Sequence, residues 1–226
     1  MRSRPIVFGV AALVAAGAVA PLLPSYPLTL LTQVAIMAVL AMSLDILLGY
    51  TGLPSLGHAA YFGTAAYAVG ILATERQAGF FTCLIAGVLL ATATAALFGL
   101  VAIRATGTYF LMITLALGMV VWGLAFRWVS LTKGDNGIAG VLWAWYNGFV
   151  SPVDVQLVTS VETLLMVALG GPGTLAGPAL GAAVIVFLKN FVSVYTKRWL
   201  LILGAVYIGV ILFAPRGVLG ALRSQR

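Results

Sequence analysis

The chain has 226 residues, of which 62% are hydrophobic and only 8% are charged. Soluble domains carry about 25% charged residues, so this composition excludes a water-soluble globular protein and predicts a membrane protein. The net charge of +7 does not indicate nucleic-acid binding. Its basic residues stand singly between apolar runs or near the two ends of the chain, which is typical of charges that flank membrane spans.

Apolar runs recur along the chain, and a run of roughly 17 to 25 residues is enough to cross a bilayer as a helix. The alternating pattern of a membrane β-barrel is absent from the sequence. We therefore predict an all-α fold, a polytopic membrane helical bundle of about eight transmembrane spans. The predicted spans are residues 6–23, 28–48, 56–73, 80–103, 107–126, 155–170, 179–195 and 199–214.

The first run has two interpretations. Arg2 and Arg4 precede it, and Ala18-Val19-Ala20 follows, which resembles a secretory signal with its cleavage site. Pro21 would stand directly after that cleavage site, however, and a second apolar run begins at once. We therefore expect a retained first helix.

A polar, glycine-rich stretch interrupts the apolar runs at residues 49–58. Pro54 has no backbone N–H, and the glycines around it permit turns that other residues resist. Backbone released in this way is tolerated at membrane depth only inside protein or beside a watery cavity. We predict a broken or re-entrant segment here, with His58 opening the next helix and Ser55 as its N-cap. The alternative is a tight interhelical loop in which His58 only packs.

A second glycine-rich run covers residues 170–178 and reads Gly-Gly-Pro-Gly-Thr-Leu-Ala-Gly-Pro. It lacks the lysine with which a P-loop reaches phosphates. We interpret it as another break between two helices rather than as a phosphate cradle.

Small residues recur every four positions in the span 80–103, and this spacing lets membrane helices approach closely. The predicted packing residues are Gly87, Ala91, Ala95 and Gly99.

Catalytic motifs are missing from the sequence. It holds one histidine and one cysteine, no H-E-x-x-H motif and no G-x-x-x-x-G-K-[ST] motif. We therefore predict no enzymatic activity, no catalytic residue, no metal site and no cofactor in this chain.

Two acidic residues lie within apolar runs. A charge at the bilayer centre costs about 2.5–3.5 kcal/mol, so such residues tend to face a cavity or a partner. Glu162 stands in the middle of a predicted span and is a candidate for the transport path or a buried network. Asp45 lies near the end of its span, where water or a helix end could satisfy it, and we favour a structural role there.

Four stretches follow one another in an order that matches a known family. They are GYTGLPSLGHAAYFG from Gly49; GTYFLMITLA from Gly107 with the later Thr132 and Asn136-Gly-Ile; GFVSP from Gly148 with SVETLLMVALGG from Ser160; and PRGVLG from Pro215. Together they make the chain resemble the permease subunit of the branched-chain amino acid ABC importers, and the resemblance covers nearly its whole length.

The resemblance implies a single membrane permease domain, 1–226, in the bacterial inner (plasma) membrane, with both termini in the cytoplasm. It implies a transporter of leucine, isoleucine, valine or related small polar substrates. The implied partners are a sister permease subunit, two cytoplasmic ATP-binding subunits that hydrolyse the ATP, and a periplasmic or extracellular substrate-binding protein, with the lipid bilayer around them and no nucleic acid.

The resemblance also suggests functional residues. The candidates for the substrate path are Ser55, Gly57, His58, Tyr61, Thr114 and Glu162. The candidates for docking the binding protein are Asp135, Asn136 and Gly137, in the polar loop 130–138. The alternative interpretation of that loop is an ordinary solvent-exposed turn without a docking role.

The sequence departs from the family after Asn136-Gly-Ile. Family members continue with a long segment that includes a cytoplasmic loop, whose short helix docks on the ATPase. Here the chain runs almost directly into GFVSP, with a possible internal deletion junction near 139–145. The chain is then either a shortened but functional subunit or an internally deleted, inactive one, and we predict impaired coupling to ATP hydrolysis.

Two other functions stay open at this point. One is an ATPase-independent secondary transporter or channel that titrates Asp45, His58 or Glu162. The other is a purely structural membrane subunit that packs against a sister permease.

Overall fold

The computed structural model describes residues 24–128, 156–174, 176–196, 198–213 and 217. The regular elements of this part are all helical, which confirms the predicted all-α class. In chain order they are α1 (Ser25–Asp45), which continues as a π-helical turn (Ile46–Tyr50), α2 (His58–Glu75), α3 (Phe80–Ala102), α4 (Thr108–Arg127), α5 (Leu157–Gly170), α6 (Ala176–Tyr195) and α7 (Trp199–Phe213).

Four helical segments of the described part are long and apolar enough to cross a membrane: Tyr26–Tyr50, α3, α4 and α6. α5 has 14 residues and α7 has 15. At about 1.5 Å per residue each rises about 21–23 Å, short of the ~30 Å hydrocarbon core. The predicted span 6–23 lies outside the described residues. The total of about eight spans therefore stays a prediction.

Both predicted breaks are present. Non-helical backbone occupies residues 52–57, between the π-helical turn and α2. The second break is shorter than predicted, because α5 ends at Gly170 and α6 already begins at Ala176. Pro178 fits in the first turn of α6, since a backbone N–H at that position has no partner inside the helix.

The described residues form two compact units. The first contains α1, α6, α7 and the part of α5 from Leu165 onwards. In this unit α6 packs against α1 and contacts α7. Asn190 Nδ2 on α6 donates a hydrogen bond to Gln33 Oε1 on α1 over 3.1 Å. Interhelical polar pairs of this kind hold membrane helices in register.

The second unit runs from Leu47 to Leu164 and contains α2, α3, α4 and the first half of α5. α2 packs along α3, and α4 contacts both helices. Its buried core consists of Ala60, Tyr67, Phe98 and Ala125. The outer side of α3 is strongly apolar and exposed, with Phe81 76% and Leu100 73% exposed. A surface of this kind suits lipid rather than water.

The predicted packing stripe on α3 has unequal surroundings along its length. A Cβ built at Gly87 would lie 2.8 Å from Val69 Cγ2 on α2, so the two helices approach closely there. Ala91 and Ala95 are half-buried. At Gly99 none of the described atoms outside its own helix lies within 4 Å of a built Cβ. The close approach is therefore at the Gly87 end of the stripe.

Candidate functional site: the helix break at residues 52–57

The break begins where the helical hydrogen-bond pattern ends. Gly52 N–H still bonds Leu48 O at 3.0 Å, and Leu53 N–H reaches back to Leu47 O at 3.2 Å. Gly52 has φ +72°, a left-handed conformation that glycine adopts without steric cost. Pro54 follows and cannot donate a backbone hydrogen bond. Local sequence chemistry therefore accounts for the end of the helix.

A threonine of α4 holds the middle of the break. The Leu56 N–H donates to Thr114 Oγ1 over 3.2 Å. The Thr114 hydroxyl in turn donates to Leu111 O in its own helix at 3.0 Å. Thr114 is 1% exposed, so its hydroxyl replaces water as the acceptor for a backbone group that no helix satisfies. This side chain was a predicted substrate-path residue.

Gly57 lies where α3 and α4 both approach the break. A Cβ at this position would stand 3.1 Å from Thr114 O and 3.3 Å from Phe98 Cε2. Such distances are tight for a real Cβ, so glycine lets the backbone sit close to α4. Gly118 on α4 is in ordinary contact range of the same segment, at 3.6 Å from Leu56 O for a built Cβ.

The start of α2 corrects one prediction. Ser55 is not the N-cap: that position belongs to Gly57, which has no side chain. Ser55 Oγ instead accepts a hydrogen bond from Gly57 N–H at 3.2 Å. The prediction was wrong because Ser55 precedes the N-cap by two residues, so its hydroxyl bonds the N-cap residue itself rather than the first turn of the helix.

Ser160 on α5 supplies the cap for the first turn of α2 that Ser55 does not. Its Oγ accepts the Ala59 N–H at 3.1 Å, so a hydroxyl 101 residues away in the chain caps the first turn of α2. Ser160 is 1% exposed. Sequence reasoning missed this contact, because only the fold brings α5 to the start of α2. The available signal was a serine within an apolar run next to Thr159.

Aromatic rings surround the first turn of α2. His58 and Tyr61 meet edge to face with ring centroids 5.4 Å apart, and Tyr61 meets Phe98 in the same way at 5.1 Å. Edge-to-face contacts of this kind are the favoured geometry for aromatic pairs. His58 is 7% exposed, so it belongs to a packed, largely apolar setting. Together with the hydroxyls, the rings make the site both polar and aromatic.

The structure brings five of the six predicted path residues together: Ser55, Gly57, His58, Tyr61 and Thr114. Glu162, the sixth, is buried at 5% exposure in the same unit. It follows Ser160 by two positions on α5, and such residues do not share a helix face. Ser160 is the α5 residue whose hydrogen bond reaches the first turn of α2, at Ala59 N–H.

Asp45 lies at the second break instead. It is fully buried, and its Oδ1 accepts the Gly173 N–H at 2.7 Å, in the turn between α5 and α6. Its Oδ2 is buried without a hydrogen-bond partner among the described residues. We expected water or a helix end to satisfy Asp45. A turn 128 positions further along the chain does so instead.

The structure does not test the remaining predicted site residues. The docking candidates Asp135, Asn136 and Gly137 and the junction near 139–145 lie outside the described residues. Within the described part, no group of three or more His, Cys, Asp or Glu side chains gathers where a metal ion could bind.

Comparison with known sequences identifies the family. The family described as "Branched-chain amino acid transport system / permease component" matches residues 26–138 and 136–214. The chain belongs to this family. The resemblance seen in the sequence motifs is thereby confirmed.

Two curated relatives are similar over part of their length. The high-affinity branched-chain amino acid transport system permease protein LivM of Escherichia coli K12 is 32% identical over 110 residues, and that of Salmonella typhimurium LT2 is 31% identical over 110 residues. Each match covers 49% of this chain and 26% of the relative. The chain thus matches about a quarter of the length of these relatives. No solved structure matches it.

Proposed function

We propose that the chain is a transmembrane permease subunit of an ABC importer for branched-chain amino acids or related small polar substrates, without enzymatic activity or a cofactor of its own. It would reside in the bacterial inner membrane beside a sister permease. Two cytoplasmic ATP-binding subunits would hydrolyse the ATP, and an external binding protein would deliver the substrate. Family membership supports the transport role, and the relatives' names motivate the substrate class.

The observation that carries this proposal is the helix break at 52–57, whose Ser55 and Gly57 are buried and whose end is hydrogen-bonded to α4. Broken helices at membrane depth form substrate sites in many transporters, because they offer backbone and side-chain polar groups without lipid exposure. A branched-chain amino acid has a charged backbone and an apolar side chain. The break combines hydroxyls and a helix N-terminus, whose dipole favours carboxylates, with the rings of His58 and Tyr61.

We also propose that coupling to the ATPases is impaired. The family's two matched ranges meet at residues 136–138, close to the junction predicted near 139–145. This supports an internally shortened permease, from which the ATPase-docking loop is absent. Such a chain could still insert and bind its sister permease while transmitting little force from ATP hydrolysis.

The decisive experiment is reconstitution in proteoliposomes with the sister permease, both ATPases and the binding protein, followed by uptake of radiolabelled leucine. ATP-dependent uptake that unlabelled isoleucine and valine inhibit is the expected result for an importer. Impaired coupling predicts a small but measurable uptake rate, whereas a fully inactive chain predicts no stable complex after co-expression with the ATPases. Recovery of an intact complex with substrate-stimulated ATPase activity would overturn the coupling proposal and leave the importer proposal standing.

An uptake assay on the purified chain alone distinguishes the alternative mechanism from the importer. A secondary transporter or channel would take up leucine without ATP, under an imposed proton or sodium gradient. His58→Gln or Glu162→Gln would then abolish that gradient-driven uptake. If neither energy source gives uptake and break variants have no effect on an assembled complex, the chain is a structural subunit, and the importer proposal fails.

A further inference from the structure

Hydroxyl groups of two other helices hold the end of the break at 52–57 and the first turn of α2 that follows it. Thr114 on α4 accepts the Leu56 N–H, and Ser160 on α5 accepts the Ala59 N–H. Between these contacts lie Gly57 and His58. The backbone that sets the direction of the His58 side chain is thus fixed by two helices that are distant in sequence.

Ser160 differs from the other buried hydroxyls of α5. Thr163 is also fully buried, but its Oγ1 donates to Thr159 O at 2.7 Å in the same helix. That bond ties α5 only to itself. Ser160 Oγ accepts an N–H from another helix, at the position where a helix start would otherwise use an N-cap side chain.

The cap matters because glycine stands at the N-cap. Gly57 has no side chain that could accept a backbone hydrogen bond, and Ser55 Oγ already accepts the N–H of Gly57. Ser160 supplies an acceptor from another helix, which receives the Ala59 N–H of this turn. Without it, that turn would lose an acceptor in a buried setting and would fray.

We propose that Ser160 is a positioning residue of the transport path: it caps α2 from α5 and thereby fixes the first turn of α2, with His58 and Tyr61, in the arrangement that accepts substrate. This inference rests on the proposed permease function. It assigns to α5 a role in positioning the start of α2, and it predicts that substrate affinity depends on a hydroxyl that need not touch the substrate.

The expected effect follows from population arithmetic. When only a fraction of molecules has the competent arrangement, the apparent affinity falls by that fraction. An interhelical hydrogen bond in a membrane contributes about 0.6 kcal/mol on average, which corresponds to roughly threefold in an equilibrium constant. We expect Ser160→Ala to raise the KM for leucine uptake by roughly threefold or more, with a smaller change in Vmax.

The test uses the reconstituted complex with Ser160→Ala, Ser160→Thr and Thr163→Val. Ser160→Thr keeps a hydroxyl and should restore the wild-type KM. Thr163→Val removes an equally buried hydroxyl from the same helix and should leave the KM unchanged. A lower amount of folded Ser160→Ala protein with an unchanged KM would overturn the proposal, because it would indicate a structural role alone.

A second measurement does not depend on transport. Hydrogen–deuterium exchange of the chain in nanodiscs should show faster exchange in the peptide covering residues 56–62 for Ser160→Ala, and wild-type exchange for Thr163→Val. Equal exchange in all variants would overturn the capping role. If wild-type complexes transport none of the three amino acids, the proposed function fails. Faster exchange at 56–62 would then leave Ser160 as a cap and would remove its substrate role.

Discussion

Both helix breaks of this chain leave backbone N–H groups in need of hydrogen-bond partners, and the two breaks obtain those partners from different side chains. At the end of the break at 52–57 and in the first turn of α2, backbone N–H groups are bound by the neutral hydroxyls of Thr114 and Ser160. At the turn after Gly170 it is bound by the buried carboxylate of Asp45 and enclosed by glycines in close backbone contact. The first arrangement uses single, replaceable hydrogen bonds, whereas the second leaves little room for any change. The two breaks therefore differ in how much room each leaves for an added side-chain atom.

The two breaks differ most clearly in the space around their glycines. A Cβ at Gly170 would overlap the Gly177 carbonyl oxygen, and one at Gly181 would overlap the Met166 carbonyl oxygen. These are backbone atoms, which cannot rotate away. A Cβ at Gly57, by contrast, keeps at least 3.1 Å from its nearest neighbour.

The largest expected effect is that of Gly170→Ala. Because the new methyl group would overlap backbone, α5 and α6 must separate, and we expect a loss of about 3 kcal/mol or more, at the upper end of overpacking costs. Thermal unfolding in detergent, read by tryptophan fluorescence, measures it. Gly204→Ala on α7 is the matched control, since none of the described atoms outside its helix lies within 4 Å of its built Cβ. Equal melting temperatures for the two variants would contradict a fixed second break.

Asp45→Ala should come next. It removes the acceptor of the Gly173 N–H, and we expect a loss of about 1–2 kcal/mol, because this hydrogen bond is only partly buried. Asp45→Asn keeps an acceptor oxygen, so it should recover part of the loss. Full recovery is not expected, since the new amide would occupy the site of Oδ2, which has no partner among the described residues. Identical losses in both variants would show that charge, rather than the acceptor, stabilises the turn.

The locations of both breaks were predictable from sequence, whereas the groups that hold them were not. Glycine and proline end a helix through their own backbone properties, so residues 49–58 and 170–178 were identified without a fold. The anchors depend on packing. Their partners lie 58, 101 and 128 positions apart in the chain, and a single sequence carries no information about such pairs.

The short helices were the other limit of prediction. α5 was predicted as a span because its residues are apolar. Its 14 helical residues rise less than the ~30 Å hydrocarbon core, so the span stays a prediction, and most of its side chains are buried in protein. Apolar composition alone does not separate a helix that faces lipid from one enclosed by other helices.

Thr114→Val is the third prediction and concerns the break at 52–57. The variant keeps the shape of the side chain but leaves the Leu56 N–H without its acceptor. We expect a loss of about 1 kcal/mol, since interhelical hydrogen bonds in membranes contribute at most about 1.7 kcal/mol. Thr114→Ser, which keeps the hydroxyl, should have wild-type stability. A loss of unfolding free energy larger than that of Asp45→Ala would contradict the expectation that the second break contributes more to stability.

The smallest expected effect is that of Gly57→Ala, for which two terms oppose each other. Alanine restricts the unfolded chain, which stabilises the fold by about 0.4–1 kcal/mol where the conformation is compatible. At φ −93° and ψ −1° Gly57 is compatible. The methyl group, however, would stand 3.1 Å from Thr114 O and 3.3 Å from Phe98 Cε2, so the ring must move by a few tenths of an ångström. We expect a net change in unfolding free energy within about 1 kcal/mol. A loss as large as that of Gly170→Ala would show that the break at 52–57 is as rigid as the break after Gly170.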